Sequence, residues 1–388
     1  MTDTKSLFKK PAFLVLAVLT LVGIVCWIMQ QINGLGATGM NNSNSWGLYI
    51  TCFMFFVGLS AGGLIVASSA HVFGIESFKK VSMPAVIVST ACICVAGMMV
   101  LVDLGGIQRI WRIIIGANFT SPLLWDMCII TLYLIINILD LVWMNKGEEE
   151  KVRKLSYVAL PVAILVHSVT AWIFGLEIAK EGWYSAIMAP IFVASAMDSG
   201  LALLLCALTG LKKAGKADVD DALFNNLGKL LATFIAVDAF FIGCELLTMG
   251  YPGAEGAEIL AIMTTGSTAA FFWIEIIAGL LVPFVLLASP ARRNNKTVVL
   301  AASALVILGV FCKRVWLLFT SFVTPNVYGG AGITLGTSAA QQPYANIWSL
   351  GGTYAPTVPE VLVALGVISL GVLIFLVLSE KLLAKKEA

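Results

Sequence analysis

Ionisable side chains interrupt several long apolar stretches of this 388-residue chain. A charge at the centre of a bilayer costs about 2.5–3.5 kcal/mol on insertion scales, so such residues mark a function by default. Acidic groups spaced through a membrane can pass protons along a relay. We predict a proton route through five of them: Asp140, Asp198, Asp238, Glu245 and Glu275. Structural ion pairing, for instance of Arg314 with Glu245 or Glu275, and a substrate channel are the alternatives.

The histidines and cysteines test whether the chain binds a redox centre of its own. A membrane b-type haem takes two histidines at matched depth, but His71 lies near a span end and His167 near the midplane. The eight cysteines all fall inside apolar runs, without a Cys-x-x-Cys pair, and behave as small buried hydrophobic residues. We therefore expect no haem and no iron–sulfur cluster in this chain. His167 fits either a buried core histidine or a hydrogen-bonding and proton-relay group.

The composition defines the protein class that must position these groups. Lys and Arg number 24, Asp and Glu number 22, and together they make up 12% of the chain. An average soluble domain is about 25% charged, whereas here 59% of residues are hydrophobic and the mean hydropathy is +0.95. These values exclude a soluble globular enzyme, a disordered chain and a nucleic-acid binder. The chain is predicted to be an all-α polytopic membrane protein.

Apolar segments long enough to cross a bilayer number ten, at about 20 residues for each span. Their predicted bounds are 11–32, 46–73, 81–103, 122–144, 157–177, 185–211, 230–249, 267–289, 297–321 and 359–379. We expect residues 1–388 to form a single integral membrane domain.

The distribution of basic residues predicts the orientation of these spans. Ten spans place both termini on one side, and 19 basic residues fall on that side against three on the other, namely Arg109, Arg112 and Lys180. By the positive-inside rule both termini are cytoplasmic, in a multi-pass protein of the cell inner (cytoplasmic) membrane. The long connections 33–45, 104–121, 250–266 and 322–358 then face outwards. They suggest a docking surface for another protein or ordinary solvent-exposed loops.

Two stretches carry a family resemblance. The first joins Asp103-Leu104-Gly105-Gly106-Ile107-Gln108-Arg109 to Asn118-Phe119-Thr120-Ser121-Pro122, followed by Trp125-Asp126. The second runs from His167 through Thr170-Ala171-Trp172 to Gly182-Trp183-Tyr184. Together they resemble the NrfD/PsrC family of polysulfide reductase-type membrane subunits, over roughly residues 46–379. Gly106-Ile107 stands where the family has Arg-Pro, so a role for that arginine does not transfer.

The resemblance implies the ten-helix branch found in quinone reductase and alternative complex III assemblies. Two four-helix bundles would form a core over about 46–321, with extra helices at 11–32 and 359–379. The implied function is a membrane anchor that binds menaquinone or ubiquinone near the external face, with proton translocation as a further possibility. It would be non-catalytic alone but would form the quinone-reactive subunit of an oxidoreductase complex. A ferredoxin-like iron–sulfur subunit would dock outside and connect it to a catalytic subunit, a molybdopterin oxidoreductase, hydrogenase or multihaem cytochrome.

By position, six residues are candidates for quinone binding: His167, Asp103, Trp125, Asp126, Glu177 and Arg109. His167 or Asp103 would hydrogen-bond a quinone carbonyl, and Arg109 would order the loop or aid docking. Asp103 could instead cap its helix or pair with Arg109. Two other functions stay open, an ion-coupled secondary transporter, which requires inverted repeats and broken helices, and a structural anchor that binds no quinone.

Overall fold

The computed structural model describes residues 10–41, 44–180, 182–323 and 354–383. Within these residues, ten helices are long and apolar enough to span a membrane, as predicted. They are α1 (Pro11–Asn33), α2 (Leu48–Val72), α3 (Glu76–Asp103), α4 (Pro122–Lys146), α5 (Glu149–Gly175), α6 (Met188–Lys213), α7 (Asp221–Gly250), α8 (Ala269–Ala288), α9 (Lys296–Val323) and α10 (Val358–Leu382). Lys5, Lys9 and most of the predicted outer connection 322–358 lie outside the described residues.

The helix boundaries follow from local chemistry. Proline occupies a first-turn position in α1, α4 and α10, where its missing N–H costs no intrahelical hydrogen bond. Gly147 ends α4 with a φ of 71°, a left-handed conformation that side chains with a Cβ disfavour. α5 and α7 begin eight or nine residues before the predicted spans, at Glu149 and Asp221. A hydropathy scan stops at charged residues, whereas helical hydrogen bonding continues through them into the aqueous phase.

The spans form two four-helix groups and one flanking pair. α2, α3, α4 and α5 contact one another as the first bundle, and α6, α7, α8 and α9 form the second. α2 is the central helix because 94% of its most apolar stretch is buried, and it packs on α6 of the second bundle. α1 pairs with α10, and α10 lies against α3. Only 17% of the corresponding stretch of α1 is buried, so this helix lies at the periphery.

Glycines allow the closest helix crossings. A Cβ on Gly62 of α2 would lie 2.2 Å from the carbonyl carbon of Gly200 in α6, so the two bundles meet backbone to backbone. A Cβ on Gly279 of α8 would lie 2.6 Å from the Cα of Gly309 in α9. Small residues at crossings are typical of membrane helices, which associate through close packing. Gly62 therefore serves helix packing, and α2 runs unbroken through it.

α8 changes its winding in the middle. Residues Ile274–Leu281 form a π-helix between two α-helical segments. Such segments are rare and frequently occur at functional sites. Glu275 lies in the first turn of this segment and is 1% exposed. The wider turn thus belongs to the part of α8 that carries its buried acid.

Buried Glu360 in the first turn of α10 connects this helix to the chain between α1 and α2. Its carboxylate accepts hydrogen bonds from the backbone N–H groups of Gly39 (3.0 Å) and Leu48 (3.4 Å), and from the Tyr354 hydroxyl. Burial and the hydrogen bond to Glu360 raise the pKa of Tyr354. Thr357 completes a capping box with Glu360, a pattern that satisfies the free N–H groups of the first turn.

Candidate functional site

Lys313 and Arg314 are consecutive residues of α9 and lie inside the second bundle. Their exposed fractions are 1% and 0%. Consecutive helical residues point about 100° apart, so the two cations face different neighbours. Lys313 is directed to α7 and α8, and Arg314 is directed to α6. The two directions define two neighbouring polar clusters, and Arg314 also lies within electrostatic range of Asp238 and Glu275.

The Lys313 cluster consists of Lys313, Asp238 and Glu275. The Lys313 ammonium lies 3.4 Å from a carboxylate oxygen of Asp238 and 3.3 Å from one of Glu275. The indole N–H of Trp316 donates to the other oxygen of Glu275. The sequence example paired Arg314 with Glu245 or Glu275. In the structure Lys313 makes the ion pair with Glu275, and Arg314 lies within electrostatic range of the same carboxyl group. Glu245 is also buried and lies within electrostatic range of Lys313.

Arg314 has an unusual set of partners. One terminal nitrogen donates to the Ser195 hydroxyl at 2.7 Å. The guanidinium carbon lies 3.9 Å from the ring centroid of Phe192, a cation–π geometry. The Nε and the second terminal nitrogen are buried and have no hydrogen-bond partner. Gly58 of α2 lies next to the guanidinium, and a Cβ on Gly58 would lie 3.8 Å from it, at ordinary van der Waals distance.

Two further buried groups near Arg314 also lack hydrogen bonds. His167 of α5 has an unpartnered Nε2, and both carboxyl oxygens of Asp198 in α6 are unpartnered. His167 and Asp198 each lie within electrostatic range of Arg314. We call Arg314, His167, Asp198, Ser195 and Phe192 the Arg314 site. An unpaired polar group in a native interior needs a water, an ion or a ligand to satisfy it, and here donors and acceptors from three helices share that need.

An aromatic cluster connects the Arg314 site with the connection between α5 and α6. Phe192 stacks on Phe174 at 6.2 Å, and Phe174 meets Trp183 edge to face at 5.1 Å. Trp183 stacks on Trp46 at 6.1 Å and donates its indole N–H to the Leu317 carbonyl at 2.7 Å. Neighbouring Lys180 lies 5.1 Å from the Phe322 ring centroid, and partial burial lowers the pKa of Lys180. The aromatic rings thus form a continuous series of contacts from Arg314, through Phe192, to Trp46.

The structure divides the six predicted quinone-binding residues among three places. Asp126 is buried and accepts from Thr170 at 2.6 Å, one turn from His167 on the same face of α5. Asp103 ends α3 with one buried, unpartnered oxygen, within electrostatic range of Tyr49 on the α1 side. The remaining three, Arg109, Trp125 and Glu177, are exposed. Within the described residues no ion pair joins Asp103 to Arg109.

The predicted proton route also divides in two. Asp198, Asp238, Glu245 and Glu275 surround the α9 cations in the second bundle, as the preceding contacts show. Asp140 lies in the first bundle, where it is 1% exposed and has one unpartnered oxygen.

Asp140 closes a polar stripe along α4. Tyr133 donates to the Ser60 carbonyl at 2.9 Å and contacts the Ser89 hydroxyl at 2.8 Å. Asn137 follows one turn later and donates to the Tyr133 carbonyl at 2.8 Å. Asp126, Tyr133, Asn137 and Asp140 recur at spacings of seven, four and three residues, which keeps them on one face of the helix.

Sequence reasoning did not find Arg314, Ser195 and Phe192 as site residues. A signal was present, since Phe192, Ser195 and Asp198 recur every three residues and share one face of α6. His167, Thr170 and Phe174 show the corresponding pattern on α5. Which helix faces which could not be taken from the pattern.

Comparisons with known proteins agree with this architecture. The family described as polysulphide reductase, NrfD, matches residues 36–326. A putative dimethyl sulfoxide reductase membrane subunit of Halobacterium salinarum is 34% identical, over 93% of this chain and 88% of the relative. The Hdr-like menaquinol oxidoreductase integral membrane subunit of Archaeoglobus fulgidus is 28% identical, over 94% and 90%. A selenate reductase subunit of Mesobacillus selenatarsenatis is 26% identical, over 83% and 84%.

Proposed function

Because the chain belongs to the polysulphide reductase NrfD family, we propose that it is the quinone-binding membrane subunit of a respiratory oxidoreductase complex. Relatives named as the integral membrane subunit of a menaquinol oxidoreductase and as a subunit of a selenate reductase support this function. Menaquinone is the favoured quinone because two relatives are named for it or its reduced form. The observation on which the proposal rests is the set of unpartnered donors and acceptors at the Arg314 site.

The Arg314 site has the chemistry that a quinone headgroup requires. A quinone carries two carbonyl acceptors, and its reduced form carries two hydroxyl donors. Two guanidinium nitrogens of Arg314, Nε and one terminal nitrogen, have no hydrogen-bond partner, and they would donate to a carbonyl oxygen. Asp198 has two free oxygens and would accept a quinol hydroxyl. Phe192 and Phe174 provide aromatic faces beside them.

Quinol oxidation releases two electrons and two protons, so the site needs a proton acceptor. Asp198 lies within electrostatic range of Lys313 and Asp238. Four carboxyl groups, on Asp198, Asp238, Glu245 and Glu275, face the two α9 cations. With all four ionised the group has a formal charge of −2, so it can bind two protons before it reaches neutrality in a low-dielectric interior. We propose that this group of acids receives protons from the quinol, and that Asp140 belongs to a separate polar stripe in the first bundle.

The outer connection after α3 is the proposed docking surface for an electron-transfer subunit. Trp111, Ile114, Ile115 and Phe119 are exposed by 51%, 75%, 78% and 80%. Exposed apolar patches of this kind mark protein or membrane contacts. A ferredoxin-like iron–sulfur subunit on this surface would connect the quinone to a catalytic subunit, most simply a molybdopterin oxidoreductase. The outward orientation of this surface is part of the proposal.

Arg314→Gln tests the quinone assignment in the purified complex. Loss of a hydrogen bond to a charged donor costs about 1.5–3 kcal/mol, so we expect quinol-dependent turnover to fall about 10- to 100-fold. Electron transfer between the catalytic subunit and a soluble artificial donor stays unchanged, because it bypasses this chain. Arg314→Lys keeps the charge but removes the two unpartnered guanidinium nitrogens, and it is expected to raise KM for the quinol.

Asp103→Asn distinguishes a quinone headgroup bound at the Arg314 site from one bound beside Asp103 at the end of α3. If the quinone binds at the Arg314 site, this variant keeps its quinol turnover, because Asp103 lies on the α1 side of α3. A large loss in Asp103→Asn with normal activity in Arg314→Gln would contradict the proposed site and favour the outer end of α3. Normal activity in both variants, without inhibition by quinone analogues, would favour a structural anchor.

A further inference from the structure

An apolar groove of about 620 Å³ runs between the first bundle, α6 and α10. It is separate from the Arg314 site, and its volume lies within the range of about 300–1,000 Å³ that is usual for ligand pockets. Phe56 of α2 and Val88 of α3 line one wall, and Ala207 of α6 and Phe375 of α10 line others. At membrane depth such a groove suits an apolar chain, because water finds no polar partners there.

The groove has the length of one lipid leaflet. Along α10 its lining extends from Ile368 to Glu380, twelve residues that rise about 18 Å. Half of a bilayer core measures about 15 Å. The groove therefore begins near the membrane midplane and ends where α10 reaches the interface.

The interfacial end of the groove is charged. Lys10, Lys216 and Glu380 all line it. Lys216 and Glu380 form an ion pair of 2.5 Å, and each side chain is only 8% exposed. The Lys216 ammonium also donates to the Ser379 carbonyl at 3.3 Å. Among the described lining residues, these two lysines and one glutamate have a formal net charge of +1.

We propose that the groove is a binding site for an anionic phospholipid of the surrounding bilayer. One acyl chain lies along the apolar walls, and the phosphate meets Lys10 and the Lys216 ammonium at the interface. Basic pockets between membrane helices bind anionic headgroups in this way. A quinone headgroup is neutral and gains less from the positive charge than an anionic phosphate does, so the charge favours the phospholipid over a quinone.

Native mass spectrometry of the delipidated full chain in detergent tests this site. Phosphatidylglycerol and phosphatidylcholine with identical acyl chains are titrated in parallel, and phosphatidylglycerol is expected to bind more tightly. Lys10→Gln removes about one lysine's attraction to an anionic lipid, equivalent to about fivefold weaker phosphatidylglycerol binding. The phosphatidylcholine affinity stays unchanged in this variant, which excludes a general loss of structure.

A second variant blocks the acyl position. Gly210 lines the groove, and a Cβ there would have no atom within 4 Å, so Gly210→Leu fills the groove without a clash and is expected to lose phosphatidylglycerol binding. Gly243→Leu is the matched control, because Gly243 is also a helical glycine with open space, on α7 outside the groove. Equal affinity for both lipids, unchanged binding in Gly210→Leu, or retention of an isoprenoid quinone in the groove would overturn the proposal.

Discussion

Replacing Lys313 by methionine tests whether the buried charges of the second bundle stabilise it. Methionine has a similar length and no charge, so the substitution leaves the packing volume nearly unchanged. It removes the cation that lies 3.4 Å from Asp238 and 3.3 Å from Glu275. Both carboxyl groups then lie in the interior without a cation at contact distance.

The expected loss follows from these distances. Two unit charges at 3.3 Å attract by about 5 kcal/mol at an effective dielectric constant of about 20. Desolvation of Lys313 offsets part of the attraction, and removal of one partner of a buried pair typically costs about 3–5 kcal/mol. We expect a loss of this size in the free energy of unfolding. The triple variant Lys313→Met, Asp238→Asn, Glu275→Gln recovers most of it, because it leaves no unpaired charge among the three.

Thermal unfolding of the detergent-purified chain, followed by tryptophan fluorescence, measures the effect. Trp316, one of the ten tryptophans, contributes to this signal from within the cluster, because its indole N–H donates to Glu275. Lys229→Met is the control, since Lys229 is exposed on α7 and surface substitutions change stability by about 0.5 kcal/mol or less. If Lys313→Met unfolds like this control, or if the triple variant is less stable than the single one, the ion-pair reasoning is refuted.

Three further predictions concern the crossing of α2 and α6, the hydrogen bonds of Glu360, and the acids proposed to carry protons. Gly62→Leu is expected to abolish the monodisperse peak of the folded chain in size-exclusion chromatography, because its Cβ would lie 2.2 Å from the backbone of α6. The control Gly97→Leu, whose Cβ would have no atom within 4 Å, is expected to remain folded. Equal behaviour of the two variants would contradict the close crossing of α2 and α6. Glu360→Ala leaves the Gly39 N–H without its carboxylate acceptor, at a cost of up to about 1–3 kcal/mol, whereas the Leu48 N–H still donates to the Tyr354 hydroxyl. Limited proteolysis near residues 39–48 should therefore accelerate, and Glu360→Gln, which keeps one acceptor, should be affected less; identical rates would argue against this role of Glu360. Asp198→Asn should lower quinol turnover in the assembled complex. Asp140→Asn should leave turnover unchanged and lower only the number of protons moved per electron. Equal losses of turnover would argue against separate roles for the acids around the α9 cations and the polar stripe of α4.

The sequence was sufficient for the architecture because ten apolar segments and their prolines are local signals. Helix starts at Glu149 and Asp221 were missed for a physical reason, since charged first turns extend beyond the membrane. The π-helical segment around Glu275 was not predicted either, and it contains Gly279, which packs closely on Gly309 of α9. Packing between distant helices has no periodic signature within either helix.

The site was predictable in its components but not in its grouping. His167 was expected to bind quinone and Asp198 to carry protons, and the structure places both within electrostatic range of Arg314. The sequence indicated Arg314 only as an ion-pair partner, because residue spacing could not assign different partners to the adjacent Lys313 and Arg314. The rotation of about 100° between consecutive helical residues assigns Lys313 to the acids of α7 and α8, and Arg314 to the unpartnered groups of α5 and α6. Asp198 lies within electrostatic range of both cations. In the proposed mechanism, a proton that Asp198 accepts from the quinol at the Arg314 site would therefore already lie beside the Lys313 cluster, without a separate connecting residue.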